Sequence, residues 1–204
     1  MTLHFPRAEY DARIARATAE LVARKLDGAL LFAPESHYWL TGYDTFGFCF
    51  FQCLYLGADG RLALLTRSAD LRQAQHTSII EDIRIWTDGA DASPAEQLRA
   101  MLESLGVRRK RLGIETATQG LTHSNGRKVH GALQDFCGLI TFDGVIESLR
   151  AVKSPAELAA VRRAAELADD AYDAALALVG PGADEGAILA AMQGAVFRGG
   201  GDYP

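Results

Sequence analysis

Histidine, cysteine and carboxylate side chains are the groups in this chain that could do chemistry, and their spacing limits what they can do. There are five histidines: His4, His37, His76, His123 and His130. His123 and His130 fall on one expected helix, which puts them about 10 Å apart along its axis. Two imidazoles on one metal ion need i, i+4 or similar spacing, so this pair does not predict a metal site. His37 stands beside Glu35, Tyr38 and Trp39 and reads either as a surface residue or as part of a binding rim. Cys49 and Cys53 lie in one expected strand, where their separation is about 13 Å, too far for a disulfide. With no histidine or carboxylate between them, they read as small buried hydrophobes, and Cys137 reads the same way. Asp169, Asp170 and Asp173 form a solvated helix face, because no further oxygen ligand is at hand. Gly199-Gly200-Gly201 lacks the lysine and the helix that follow a phosphate-binding loop. No catalytic set and no metal site are expected within the chain. The strongest functional candidate is the segment from Tyr43 to Cys53. Its Tyr43, Phe51, Gln52 and Cys53, together with His37, are candidates for a substrate rim, and the same segment residues also read as core.

The elements that must position these residues alternate. An amphipathic helix is expected over Tyr10–Leu26, followed by a buried strand at Ala29–Ala33 and a short helix at Ser36–Leu40 closed by Thr41-Gly42. Phe48–Leu56 reads as a strand apolar on both faces, which belongs in the middle of a sheet with a layer on each side. A turn at Gly57–Gly60 leads to an antiparallel strand, Arg61–Thr66. Helices at Ala69–His76, from Ser93-Pro94-Ala95-Glu96 to Leu105, and at Thr122–Gln134 then alternate with strands at Ile83–Trp86, Arg111–Glu115 and Leu139–Phe142. In Ser154-Pro155-Ala156-Glu157 the serine can cap, the proline can open and the glutamate can close a capping box, and Ser93-Pro94-Ala95-Glu96 repeats that cap pattern. A helix is predicted from there to Val179, with a stripe of Leu158, Val161, Ala165, Ala168, Tyr172, Leu176 and Val179. A second helix runs from Ala183-Asp184-Glu185 to about Phe197. The fold class is α/β: a three-layer domain with a mixed central sheet over residues 1–146, then two helices within 147–204.

Charge and composition exclude other classes. The formal net charge is −5 over 204 residues, which gives no electrostatic reason to expect nucleic acid. The run Arg108-Arg109-Lys110-Arg111 lies between a helix end and a strand, where basic residues complement the helix dipole. No apolar run approaches the ~20 residues of a membrane span, and the start lacks the apolar core of a signal peptide. Three cysteines fit a reducing compartment. These features point to the cytoplasm.

The stretch Leu149-Arg150-Ala151-Val152-Lys153-Ser154-Pro155-Ala156-Glu157, followed by Arg162, Arg163 and Ala164, resembles the start of the pita-bread catalytic domain of the Xaa-Pro peptidase and creatinase family. Tyr38-Trp39-Leu40-Thr41-Gly42-Tyr43 resembles a segment of that family's N-terminal domain. The hairpin Cys53–Leu65 and the helix beginning Ser68-Ala69-Asp70 follow in the expected order. Thr41-Gly42-Tyr43-Asp44, Gln52-Cys53 and Gly200-Gly201-Asp202-Tyr203-Pro204 look most like the ectoine hydrolase branch.

The resemblance implies an N-terminal creatinase-like domain and the opening of an incomplete α+β pita-bread domain, from a homodimeric hydrolase of C–N bonds. Its substrate would be a dipeptide or another small molecule. The family's metal-binding aspartates, histidine and glutamates come later than this chain reaches. Full-length relatives use two divalent ions (Mn, Co or Zn) or none. The chain is therefore expected to hold no cofactor and to be inactive alone. The resemblance also implies that the Tyr43–Cys53 region leans over a dimer mate's cleft. Creatinase-like members carry a carboxylate-binding arginine at the position that aligns with Cys53, which puts creatine-type substrates in doubt. Two other readings are a non-catalytic dimerisation or binding module and a fragment with no function of its own.

Overall fold

The strand Cys53–Gly57 is buried along its whole length. Leu54 and Leu56 join one apolar cluster, and Cys53 and Tyr55 join another. A strand apolar on both faces needs a covering layer on each side. The computed structural model, which describes residues 3–202, has this arrangement. In chain order the elements are α1 (Arg7–Ala23), β1 (Gly28–Leu31), α2 (Pro34–Thr41), β2 (Cys53–Gly57), β3 (Leu62–Arg67), α3 (Leu71–Thr77), β4 (Asp82–Trp86), α4 (Pro94–Ser104), β5 (Arg111–Ile114), α5 (His123–Leu133), β6 (Gly138–Thr141), α6 (Val145–Ala151), α7 (Pro155–Leu176) and α8 (Glu185–Arg198).

The six strands form one sheet of order β4-β3-β2-β1-β5-β6. β2 is antiparallel to both β1 and β3, and the remaining pairs are parallel, so the sheet is mixed as expected. Ala17 and Leu21 of α1, Trp39 and Leu40 of α2, and Ile146 of α6 cover one face. Leu98 and Met101 of α4, and Val129 and Leu133 of α5, cover the other. No helix among the described residues is long and apolar enough to cross a membrane.

Three local expectations change. The strand expected over Phe48–Leu56 begins only at Cys53, because the ladder runs out there: β1 reaches Leu54, and β3 pairs Leu65 with Cys53. Upstream, Gly47–Cys49 forms a 3-10 turn closed by the Phe50 N–H on the Gly47 carbonyl (2.9 Å). Cys49 is therefore exposed rather than buried, whereas Cys53 and Cys137 are buried; all three are free thiols. Ser93 precedes α4 without a side-chain cap, at φ −127° and ψ 76°. The helix α6 had no counterpart in the sequence reading. It packs on α1 and α2 within a first compact unit that ends at Ala151.

A second unit begins at Val152. Its capping box is complete: Ser154 Oγ accepts from Glu157 N (3.2 Å), and the Glu157 carboxylate accepts from Ser154 N (2.8 Å). The buried side of α7 is Leu167 and Ala171, not the expected stripe, which stays exposed from Leu158 to Val179. The glycine run explains the difference. Leu167 packs against the backbone of Gly199 and Gly201, where a Cβ would collide with it. Arg163 donates to the Gly199 carbonyl (2.7 Å), and Gly201 N–H bonds Val196 O (2.9 Å). These glycines thus end α8 against α7. Tyr203 and Pro204, part of the resemblance noted above, lie outside the described residues.

Replacing Ser154 with Ala removes the acceptor of the Glu157 N–H. The expected loss is about 1 kcal/mol, read as a lower urea midpoint of the helical signal, and Ser154→Asp is expected to keep most of the stability.

Candidate functional site

One buried carboxylate fixes the corner from which the candidate segment departs. Glu115 follows β5 and is 7% exposed. One of its oxygens accepts from the N–H groups of Phe32 and Ala33 (3.0 Å each), and the other accepts from Ser36 Oγ (2.6 Å). Burial pushes the Glu115 carboxyl up, and these three donors oppose the shift. The same contacts satisfy free amides at the start of α2, whose Ala33 has no capping side chain of its own.

α2 then delivers the candidate residues inward. The His37 Nε2–H donates to the Leu31 carbonyl (2.8 Å), and the ring stacks on Tyr43 with centroids 6.2 Å apart. His37 is 1% exposed, which corrects its reading as a surface or rim residue. Burial pulls its pKa down to about 4, so the imidazole is neutral at pH 7. Gly42 ends α2 at φ 80°, and Tyr43 turns into the core with its hydroxyl 3.1 Å from Thr66 Oγ1. Phe51 packs edge-on against Phe32, and its carbonyl accepts from Trp86 Nε1 (2.9 Å). Cys53 is fully buried, and burial pushes its thiol well above the usual range. Tyr43, Phe51, Gln52 and Cys53 are therefore core side chains in this unit.

Gln52 is the pin that shapes the loop. Its Nε2 donates to the Gly47 carbonyl (2.8 Å), while its buried Oε1 has no hydrogen-bond partner among the described residues. A Cβ on Gly47 would lie 2.5 Å from Asp70 Oδ2 and from Gln52 Nε2, so any larger residue there must displace one of those side chains. The turn held in this way throws its other members outward: Phe46 is 69% exposed, Phe48 47% and Phe50 39%. Arg67, at the end of β3, lays its guanidinium carbon 3.5 Å from the Phe50 ring centroid. Its Nε is 3.4 Å from Asp70 and 3.9 Å from Asp88.

The sequence reading found this segment but named its inward half. It missed the outward phenylalanines, Arg67, Asp70 and Glu115. One signal could have found Arg67. The turn at Gly57–Gly60 fixes the register that sets Cys53 against Leu65, and extending it sets Phe51 against Arg67.

Chemically, neither the neutral, enclosed His37 nor the protonated, enclosed Cys53 can exchange a proton with a molecule outside. The outward face offers aromatic contact and a stacked guanidinium, a composition suited to binding. No group of three or more His, Cys, Asp or Glu among the described residues is placed to hold a metal ion.

The family model of the creatinase/prolidase N-terminal domain matches residues 13–152. An uncharacterized hydrolase/peptidase of Sinorhizobium fredii is 27% identical over 211 residues, covering 98% of this chain and 53% of that protein. The ectoine hydrolase of Halomonas elongata is 24% identical over 224 residues, covering 100% of this chain and 55% of that enzyme. The chain thus spans about half the length of the curated relatives it matches. The solved Xaa-Pro dipeptidase of Bacillus anthracis superposes with a TM-score of 0.69 at 20% identity, over 93% of this chain and 49% of that one.

Gly47→Ala is expected to break the turn, moving Asp70 or Gln52. Tryptophan fluorescence should report the change through Trp86, which is bonded to Phe51 O, while far-ultraviolet dichroism stays near that of the parent. His37 gives a pH signature. Its folded value of about 4 lies below its ordinary 6.5, so its contribution to stability is fully present above pH 6.5 and is lost as pH falls toward 4. Glu115, whose carboxyl is raised, works in the opposite sense. The comparison is therefore made with His37→Gln, which keeps an N–H donor: urea midpoints measured between those pH values should fall more steeply for the parent than for the variant.

Proposed function

The chain belongs to the creatinase/prolidase N-terminal domain family, and on that premise we propose that it is the N-terminal portion of a C–N bond hydrolase and inactive by itself. Its role in that reading is to bind and to cover. The observation that carries the reading is the outward face of Phe46, Phe48 and Phe50 with Arg67 stacked on Phe50. Exposed aromatic rings beside a stacked arginine have the composition of an interface centre, and fixing them with buried polar contacts lowers the ordering cost of association.

The proposed partner is a second copy of the same polypeptide, with this face closing over the mate's cleft. The Xaa-Pro dipeptidase and ectoine hydrolase named above suggest the substrate class: a dipeptide with proline after the scissile bond, or a small cyclic amidine. We assign the covering role to the first unit, which runs through α6 to Ala151 rather than ending at 146, and residues 152–204 to the linker and the first helices of the catalytic domain. The exposed stripe of α7 supports that division. Each large apolar side chain gains about 1.5–3 kcal/mol on burial, so a helix face of this kind calls for a further layer. In the whole protein that layer would also carry the acid–base groups and any pair of Mn, Co or Zn ions. A cytoplasmic location completes the proposal.

The test combines light scattering with turnover assays on the 204-residue chain, using an Xaa-Pro dipeptide and ectoine with Mn, Co or Zn supplied. The expected outcome is no turnover of either substrate by this chain, and a whole protein that is a dimer which Phe48→Asp dissociates. Hydrolysis by this chain alone would overturn the claim of inactivity. A whole protein that stays strictly monomeric at high concentration would overturn the pairing.

A further inference from the structure

The sheet ends at β6, and the geometry there points to a site for an extended acidic peptide, added as a seventh strand. β6 pairs with β5 on one side only. Gly138 N–H bonds Lys110 O (2.9 Å), and Phe142 N–H bonds Ile114 O (2.9 Å). Backbone direction alternates along a strand, so Gly138, Ile140 and Phe142 face β5, while the N–H and C=O of Leu139 and Thr141 face away from the sheet. Neither of those two residues has another partner among the described residues.

Beside this edge lies a cavity of about 840 Å³. One wall is α5, which contributes His123, Arg127 and His130, and the floor is Gly138 and Leu139 of β6. The helix wall is opened by glycines: Gly126 and Gly131 line it without side chains, and an added Cβ at Gly131 would meet nothing within 4 Å. A groove between a helix and an open strand edge is the shape that takes a peptide by strand addition. The edge supplies main-chain bonds, and the helix reads every second side chain.

Charge selects the occupant. No Asp or Glu lines the groove. Arg127 has no acceptor among the described residues, and His123 and His130 bring further ring nitrogens to the same wall. Arg127 is the one charged side chain among the lining residues, in a chain of net charge −5. A strand with carboxylates on the residues facing α5 satisfies the wall and the edge together. The site is separate from the Phe46–Phe50 face and does not depend on the function proposed above.

The probe is a fluorescein-labelled peptide of alternating Glu and Val, titrated into the full chain and followed by anisotropy. A control peptide has the same charge but proline at every second position, so it cannot pair as a strand. The expected result is saturable binding of the first peptide that weakens with added salt and slows hydrogen exchange at the Leu139 and Thr141 amides. Arg127→Glu should weaken it at least tenfold. Thr141→Pro, which removes an outward N–H at an edge position that tolerates proline, should do the same with an unchanged melting temperature. Two results would overturn the proposal. One is equal binding of the proline peptide, which would make the groove a bare anion patch. The other is no saturation up to about 1 mM.

Discussion

A carboxylate enclosed between two parallel strands holds the first unit's functional side in place. Glu115 reaches from the end of β5 to the main chain at the end of β1 and to the first turn of α2. An isolated charge in such a place would cost several kcal/mol, and three donors on two oxygens offset that cost only with this geometry. The dependence runs both ways, since without the carboxylate the buried Phe32 amide and the half-buried Ala33 amide would lose this acceptor. Through α2 the same contact sets the depth of His37 and the entry of Tyr43 into the core. Through Tyr43 it sets where the outward loop begins.

Much of the fold could be read from residue types, because the informative signals were local. The run Phe48–Leu56, apolar on both faces, announced a central strand that the structure keeps from Cys53, the Gly57–Gly60 turn announced its antiparallel partner, and Ser154 with Glu157 announced a helix start that the structure reproduces atom by atom. The failures have a common cause. Phe48 and Phe50 continue an apolar pattern, but a strand lasts only as long as its neighbours supply a ladder, and β1 is too short to do so. Ser93 has the same type and spacing as Ser154 yet makes no cap, because its backbone enters α4 from a different direction. On α7 the widest apolar stripe lost to a narrower face that fits the bare backbone of Gly199 and Gly201.

The candidate site was legible as a segment but not as a surface. Side-chain type alone cannot say which aromatics of Phe46, Phe48, Phe50 and Phe51 point inward. That choice is made by Gln52 bonding back to Gly47, a contact available only because position 47 lacks a Cβ. His37 illustrates the same limit. A polar residue among Glu35, Tyr38 and Trp39 looks solvent-facing, but the helix start set by Glu115 rotates it under β1, where its Nε2–H donates to the Leu31 carbonyl. Both outcomes rest on contacts between residues distant in the chain, and no local pattern encodes them.

An open strand edge is ordinarily a hazard, since it can pair with its own copy. β6 carries two defences that also define what it can accept. It is only four residues long, so self-pairing would gain few main-chain bonds. It also lies beneath a helix wall bearing Arg127. A second copy brings another Arg127 and no Asp or Glu on the matching groove lining, so it lacks the acid groups that would answer this wall. The same wall lowers the energy of a strand that brings acid groups of its own. An edge that favours its electrostatic complement over its own copy is selective without any lid or moving part, and that selectivity follows from the placement of one arginine and the bareness of the glycines around it.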